Sequence, residues 1–173
     1  MADGKIEKIG YGWRGRHIAY GLILPFEDNG KLLYNQVEGL FNLIIPEAEK
    51  LATNSGKHFI SQRDVKDAMG VWGISIEVKT HTKYSYGGSP ETLRRKVYPQ
   101  LKILKRGEQT GVPFIKSPLP KSTVIFLSNL WHSLEVELAI RAEKIAGSEH
   151  RDEITGDNLR KAMKEFLSPN KGA

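Results

Sequence analysis

The 22 residues Ala48 to Met69 return without a gap as Ala142 to Met163, at a constant offset of 94: AEKLATNSGKHFISQRDVKDAM against AEKIAGSEHRDEITGDNLRKAM. Seven positions are identical, and six more pair Leu with Ile, Lys with Arg (twice), Ser with Thr, Asp with Asn, and Val with Leu. Most matches fall on apolar or helix-boundary positions. Two copies of one supersecondary unit share a fold and can meet as structurally equivalent partners, so this repeat limits the architecture before any other feature does.

Helical periodicity surrounds both copies. From Gly30 to about Ser55, the residues Leu33, Val37, Leu40, Phe41, Ile44, Ala48 and Leu51 recur three or four apart and form one apolar stripe. Asp28 or Asn29 can cap the start. Pro46 lies inside this segment and removes a backbone donor, so a kink or a break is expected there. The counterpart runs from Ser122, its natural cap, to about Gly147, with Val124, Leu127, Trp131, Leu134, Leu138, Ala142 and Ile145 on one face. Each helix of roughly 26 residues is about 39 Å long.

After each long helix comes a brief polar loop, Gly56-Lys57-His58 or His150-Arg151-Asp152. A short helix follows, capped by Ser61 or Thr155, with Val65, Ala68 and Met69, or Leu159, Ala162 and Met163, facing inward. Before the second long helix, Ser89-Pro90-Glu91 supplies a cap, a first-turn proline and an early carboxylate, and launches a helix towards Arg106 that Pro99 can interrupt. Before the first, only Trp13 to Leu24 is available. Each half thus reads short helix, loop, long helix, loop, short helix. A long amphipathic helix flanked in this way leaves much of its stripe bare, and the simplest cover is the equivalent helix of the other half, crossing it head to tail. The expected fold is all-α: a unit over 1–79, a connector over 80–88, and a unit over 89–173, clasped in an intramolecular handshake.

At 173 residues and 39% hydrophobic content the chain can bury a core, as one unit or as two lobes sharing an interface. It has no Cys, hence no disulfide, thiolate zinc site or thiol nucleophile, which fits a reducing compartment. No apolar run approaches the ~20 residues of a membrane span, and Met1-Ala2-Asp3-Gly4 opens no secretory signal. An intracellular or intraparticle location is expected. The net charge of +6 is unevenly spread: residues 80–121 hold nine basic and two acidic side chains, whereas the flanking stretches are nearly balanced. A basic segment of this kind suits a polyanionic partner.

The five histidines, His17, His58, His81, His132 and His150, show no metal-ligand spacing, so no metal site is expected. Trp13, Trp72 and Trp131 are dispersed; Trp131 reads as core, and Trp72 as burying a turn after the short helix. Gly87-Gly88-Ser89-Pro90 lacks the lysine and spacing of a phosphate-binding loop. No cluster of Ser, His and acid can be argued from spacing. Neither an enzymatic activity nor a cofactor is expected.

Both halves resemble histone folds, and the chain resembles a tandem histone doublet of the kind encoded by some giant viruses. The likeness is carried best by Asp28–Met69 and Ser122–Met163. Ala48, Leu51, Ala52, Ile60 and the Ser61–Met69 segment, with Thr82-Lys83-Tyr84-Ser85 after it, are similar to the nucleosomal histone that pairs second in the outer dimer. Ser122-Thr123-Val124 and Leu104-Lys105-Arg106-Gly107 are similar to its partner. Only ten residues follow Met163, and Met1 to Gly12 carries just Lys5 and Lys8, so the resemblance is to a trimmed histone pair.

The resemblance implies pairing of a loop cation with a group early in the following short helix: Lys57 with Asp64, and Arg151 with Asp157 or Asn158. It also implies three places of DNA contact. One loop pair brings Lys116 and Lys121 beside Lys57 and His58. The other brings Glu27 and Asp28 beside Glu149, Arg151, Asp152 and Glu153, and is largely acidic. The centre offers Arg14, Arg16, Arg94, Arg95, Lys102, Lys105 and Arg106. Glu135 and Glu137 lie near where the family carries an acidic patch, on a helix face expected to be solvated. The implied function is sequence-independent packaging of double-stranded DNA in nucleosome-like particles. The implied partner is a second histone doublet supplying the tetramer-forming pair. The implied location is the chromatin of a nucleus or viral factory, or a virion interior. The competing expectation is a histone-fold module that binds proteins in a transcription-type complex and touches DNA little.

Overall fold

The computed structural model describes residues 30–78 and 115–167, and over these the protein is all-helical, without strands. The order is α1 (Gly30–Asn54), α2 (Gln62–Val71), α3 (Lys121–Ser148) and α4 (Gly156–Leu167). The candidate caps Asp28 and Asn29 and the segments Trp13–Leu24, Thr82–Ser85 and Ser89–Arg106 lie outside the described residues.

Both apolar stripes are buried as their spacing requires. Leu33, Val37, Leu40, Phe41, Ile44 and Ala48 on α1, and Leu127, Trp131, Leu134, Leu138 and Ala142 on α3, are fully buried. The stripes end alike, because Leu51 and Ile145, equivalent at the offset of 94, are both only half-buried. The next positions, Ala52 and Ala146, are fully buried. The helix is not broken at Pro46, and α1 continues through it to Asn54. A proline inside a helix costs about 3 kcal/mol, whereas each large apolar side chain buried is worth about 1.5–3 kcal/mol. Ile44 and Ile45 just before Pro46 and Ala48 and Ala52 just after it are fully buried, which outweighs the lost bond.

The repeat extends to the hydrogen bonds at helix ends. After α1, Gly56 N–H donates to Thr53 O and Lys57 N–H to Ala52 O; after α3, His150 N–H donates to Gly147 O and Arg151 N–H to Ala146 O. Both stops are Schellman motifs, which need a left-handed residue at the turn. Gly56 takes it at φ 74°, and His150 takes it at φ 58° despite its side chain. The short helices start alike too. Ser61 Oγ accepts from Asp64 N–H at 3.2 Å while the Asp64 carboxylate accepts from Ser61 N–H at 2.8 Å. Thr155 Oγ1 accepts from Asn158 N–H at 3.2 Å while Asn158 Oδ1 accepts from Thr155 N–H at 2.9 Å. Each is a reciprocal capping box.

The chain divides into two compact units, and these do not coincide with the halves of the sequence. Among the described residues, one unit comprises 30–37 with 134–167, the other 38–78 with 115–133. Each therefore takes one end of α1 and the opposite end of α3. In the first unit Gln36 Nε2 donates to Leu159 O at 3.0 Å, tying the start of α1 to α4. In the second, the rings of Phe41 and Trp131 meet edge to face, with centroids 4.9 Å apart.

Three expectations are corrected. Ser122 is not the cap of α3; the helix begins at Lys121, and Pro120 O accepts from the N–H groups of Thr123 and Val124 at the boundary. Trp72 is 42% exposed, because α2 stops at Val71 and the chain turns at Gly73, φ 70°, which buries Ile74 instead. Glu135 is buried, not solvated, since α3 is covered well beyond its stripe, with Phe126, Leu130 and Ala139 buried as well.

Candidate nucleic-acid interface

In the unit formed by 38–78 and 115–133, the loop after α1 lies against the segment leading into α3. Ile60 N–H donates to Pro118 O at 3.0 Å, and Thr123 Oγ1 donates to Ile60 O at 2.8 Å. Ile60 and Ile115 are buried beneath this contact. Glu49, near the end of α1, completes it: its Oε2 accepts from the backbone N–H groups of Lys116 at 2.8 Å and Ser117 at 2.6 Å. These contacts place Lys57 and His58 on one side of a hydrogen-bonded loop pair and Lys116 and Lys121 on the other.

The four cations are not equivalent. Lys116, Lys121 and His58 are exposed. Among the described residues the ammonium groups of Lys116 and Lys121 form no ion pair. Lys57, by contrast, donates to both Asp64 oxygens at 2.8 and 2.7 Å and to Ser61 Oγ at 3.0 Å, and its ammonium lies 5.8 Å from the centre of the Phe59 ring. Its charge is committed to Asp64, whose side chain is almost fully buried. Burial alone pushes the Asp64 carboxyl up, but the hydrogen bonds from Lys57 and Ser61 and the Lys57 charge together hold it below its ordinary value. The pairing inferred for Lys57 and Asp64 is present.

The pairing inferred for Arg151 is not. Arg151 Nε contacts Glu149 at 3.2 Å, and Asp157 pairs with Lys161 at 3.1 Å. The cause is Glu149, which stands where the first copy has Ser55. Its carboxylate accepts from Lys161 at 2.6 Å, from Asn158 Nδ2 at 2.8 Å and from Arg151, and so draws Arg151 away from Asp157. The Lys161 and Asn158 hydrogen bonds hold its carboxyl down at about 2, and the same contact raises Lys161. Asp152 is exposed and Glu153 half-buried, and the basic groups Arg151 and Lys161 are both drawn to Glu149. Glu27 and Asp28, and the inferred central cations Arg14, Arg16, Arg94, Arg95, Lys102, Lys105 and Arg106, lie outside the described residues.

Sequence reading missed Glu49. Nothing in its spacing distinguishes it from a solvated helix-end carboxylate, since its partners are amides 67 and 68 residues away. Arg63 and Lys66 on α2 were also passed over. Arg63 pairs with Asp67 at 3.3 Å, an i,i+4 contact legible in principle, and Lys66 lies 5.5 Å from the centre of the Phe126 ring.

The described residues hold 13 basic and 14 acidic side chains, so the excess positive charge of the chain resides in the remaining segments. Among the described residues no group of His, Cys, Asp and Glu is placed to hold a metal ion, and no helix is long and apolar enough to cross a membrane. No known protein-family model matches the chain, and no curated protein matches it in sequence.

Proposed function

We propose that the chain is a single-chain histone pair, two histone folds in a head-to-tail handshake, that packages duplex DNA without sequence specificity in nucleosome-like particles. Support for the fold reading comes from the repeat at offset 94, whose helix stops and capping boxes match. Its buried positions coincide too, except that Gly156 is buried where Gln62 is exposed and Met163, expected inside, is half-buried where Met69 is buried. Support for the handshake comes from the composition of the units, each holding one end of α1 and the opposite end of α3. The observation that carries the functional reading is the hydrogen-bonded pair of loops presenting Lys116, Lys121 and His58 to solvent. Exposed ammonium groups that pair with no acid among the described residues, on a hydrogen-bonded loop pair, suit contact with phosphates, which positions a protein on DNA and reads no base. In this reading the partners are double-stranded DNA and a second histone doublet, and the location is chromatin of a nucleus or viral factory, or a virion interior.

A specific observation favours a second reading, a histone-fold module that binds proteins: the described residues are almost charge-balanced. Electrophoretic shift of random duplex DNA across a salt series separates the two. With about six phosphate contacts, affinity falls roughly a thousandfold between about 50 and 200 mM salt, alike for unrelated sequences. Absence of a shift at the lower salt would favour the interaction module, and strong preference for one site would point to an operator-reading regulator.

A further inference from the structure

The Glu49 contact has the form of an anion site already filled. Two consecutive backbone N–H groups, those of Lys116 and Ser117, aim at one oxygen, Oε2, at 2.8 and 2.6 Å. Successive amides turned to one point make a positive concavity in which protein backbone holds anions. A phosphate oxygen and a carboxylate oxygen ask the same of it: both are negative, accept only, and are satisfied by short charge-assisted bonds. The place is open to solvent, with Lys116 exposed and Ser117 and Glu49 half-buried. Two carboxylates serve this loop pair, and they are held differently. Asp64 is locked by a cation, Lys57. Glu49 is held by neutral amides, and among the described residues it forms no ion pair.

We propose that the Lys116–Ser117 amide pair is a phosphate seat that Glu49 occupies in the free protein and vacates when a phosphate group of duplex DNA enters. The inference rests on the DNA-packaging reading for the source of the phosphate. The incoming group gains the two amides on a segment that also carries the exposed Lys116 and Lys121, while Glu49 swings into water. Glu49 thereby sets the affinity of the site: its carboxylate competes for the seat, and it repels the backbone until displaced.

The test uses the full chain, labelled for backbone amide NMR, as wild type and as Glu49→Ala and Glu49→Gln, with inorganic phosphate as the first probe and chloride at matched ionic strength as control. In Glu49→Ala the Lys116 and Ser117 amide resonances shift saturably with phosphate and not with chloride; in wild type they stay in place. Random duplex DNA is the second probe. At about 100 mM salt, Glu49→Ala binds roughly fivefold more tightly than wild type. Its salt slope stays within about one unit of wild type, because the same phosphate ends in the seat in both proteins. Glu49→Gln, which keeps an acceptor oxygen on the amides and so protects the loop, shows a gain of about two- to threefold and carries the test if Glu49→Ala does not fold. Amides that ignore inorganic phosphate in the variants overturn the seat. Weaker DNA binding by folded variants overturns the competition and leaves Glu49 a mere loop anchor. If no protein of the set shifts DNA, the packaging reading falls, while the phosphate response still decides the seat.

Discussion

Lys57 and Asp64 are joined by two hydrogen bonds, at 2.8 and 2.7 Å, across the turn that starts α2, whereas their equivalents Arg151 and Asn158 are each drawn to Glu149 instead. One repeat therefore closes its second loop with a buried carboxylate and a cation, the other with an amide and an outside acid. The difference has measurable consequences.

Asp64→Asn converts the first capping box into the Asn form found at Asn158 and isolates the ionic part of the contact. We expect a loss of about 1 kcal/mol, measured by chemical denaturation, and about 1–3 kcal/mol for Asp64→Ala, which removes the cap as well. The pH dependence follows in sign. The folded carboxyl titrates below its ordinary value of 3.8, so its contribution is present above that value and disappears as pH falls through the lower folded one. Asp64→Asn flattens that acid limb.

Glu149 predicts a second acid transition. Its carboxyl, held at about 2 by Lys161, Asn158 and Arg151, is ordinary at 4.5 when unfolded, so its contribution is complete above 4.5 and fades towards 2. The site is open to water, so the effect is modest and falls with added salt. Melting temperature followed from pH 5 to 2 should decline less steeply in Glu149→Gln than in wild type at low salt, and the two curves should converge at high salt.

Gly56 and His150 hold the same left-handed turn with unequal ease. A non-glycine residue there is strained by about 1 kcal/mol, so His150→Gly should stabilise the protein by about 0.5–1 kcal/mol and Gly56→Ala should destabilise it by about 1 kcal/mol. No atom lies within 4 Å of a Cβ built on Gly56, so its penalty comes from backbone conformation and not from a clash. Paired denaturant titrations check both signs.

Lys57 and Lys116 should separate stability from DNA binding. Replacing Lys116 and Lys121 together by Ala should leave the melting temperature nearly unchanged and reduce the salt slope of DNA binding by about 2. Lys57→Ala should lower stability by about 1 kcal/mol or more, since it strands the buried Asp64, while changing the slope by less than about one unit. A slope that ignores Lys116 and Lys121 removes the loop pair from the interface.

What the amino-acid order settled by itself is local and periodic. The spacing of Leu33 to Ala48 and of Leu127 to Ala142 placed both long helices, because a helix buries whatever recurs every three or four residues. Ser61 and Thr155 announced the short helices, because a hydroxyl three residues ahead of an acceptor side chain satisfies two amides at once. Tertiary structure decided the rest. Arg151 chose Glu149 over Asp157, Trp72 stayed half in solvent, Glu135 went inside, and Glu49 reached the amides of Lys116 and Ser117. Each of those outcomes depends on which group arrives nearby from elsewhere in the chain, and hydrogen bonds and ion pairs act over a few ångströms of space whatever the distance along the sequence.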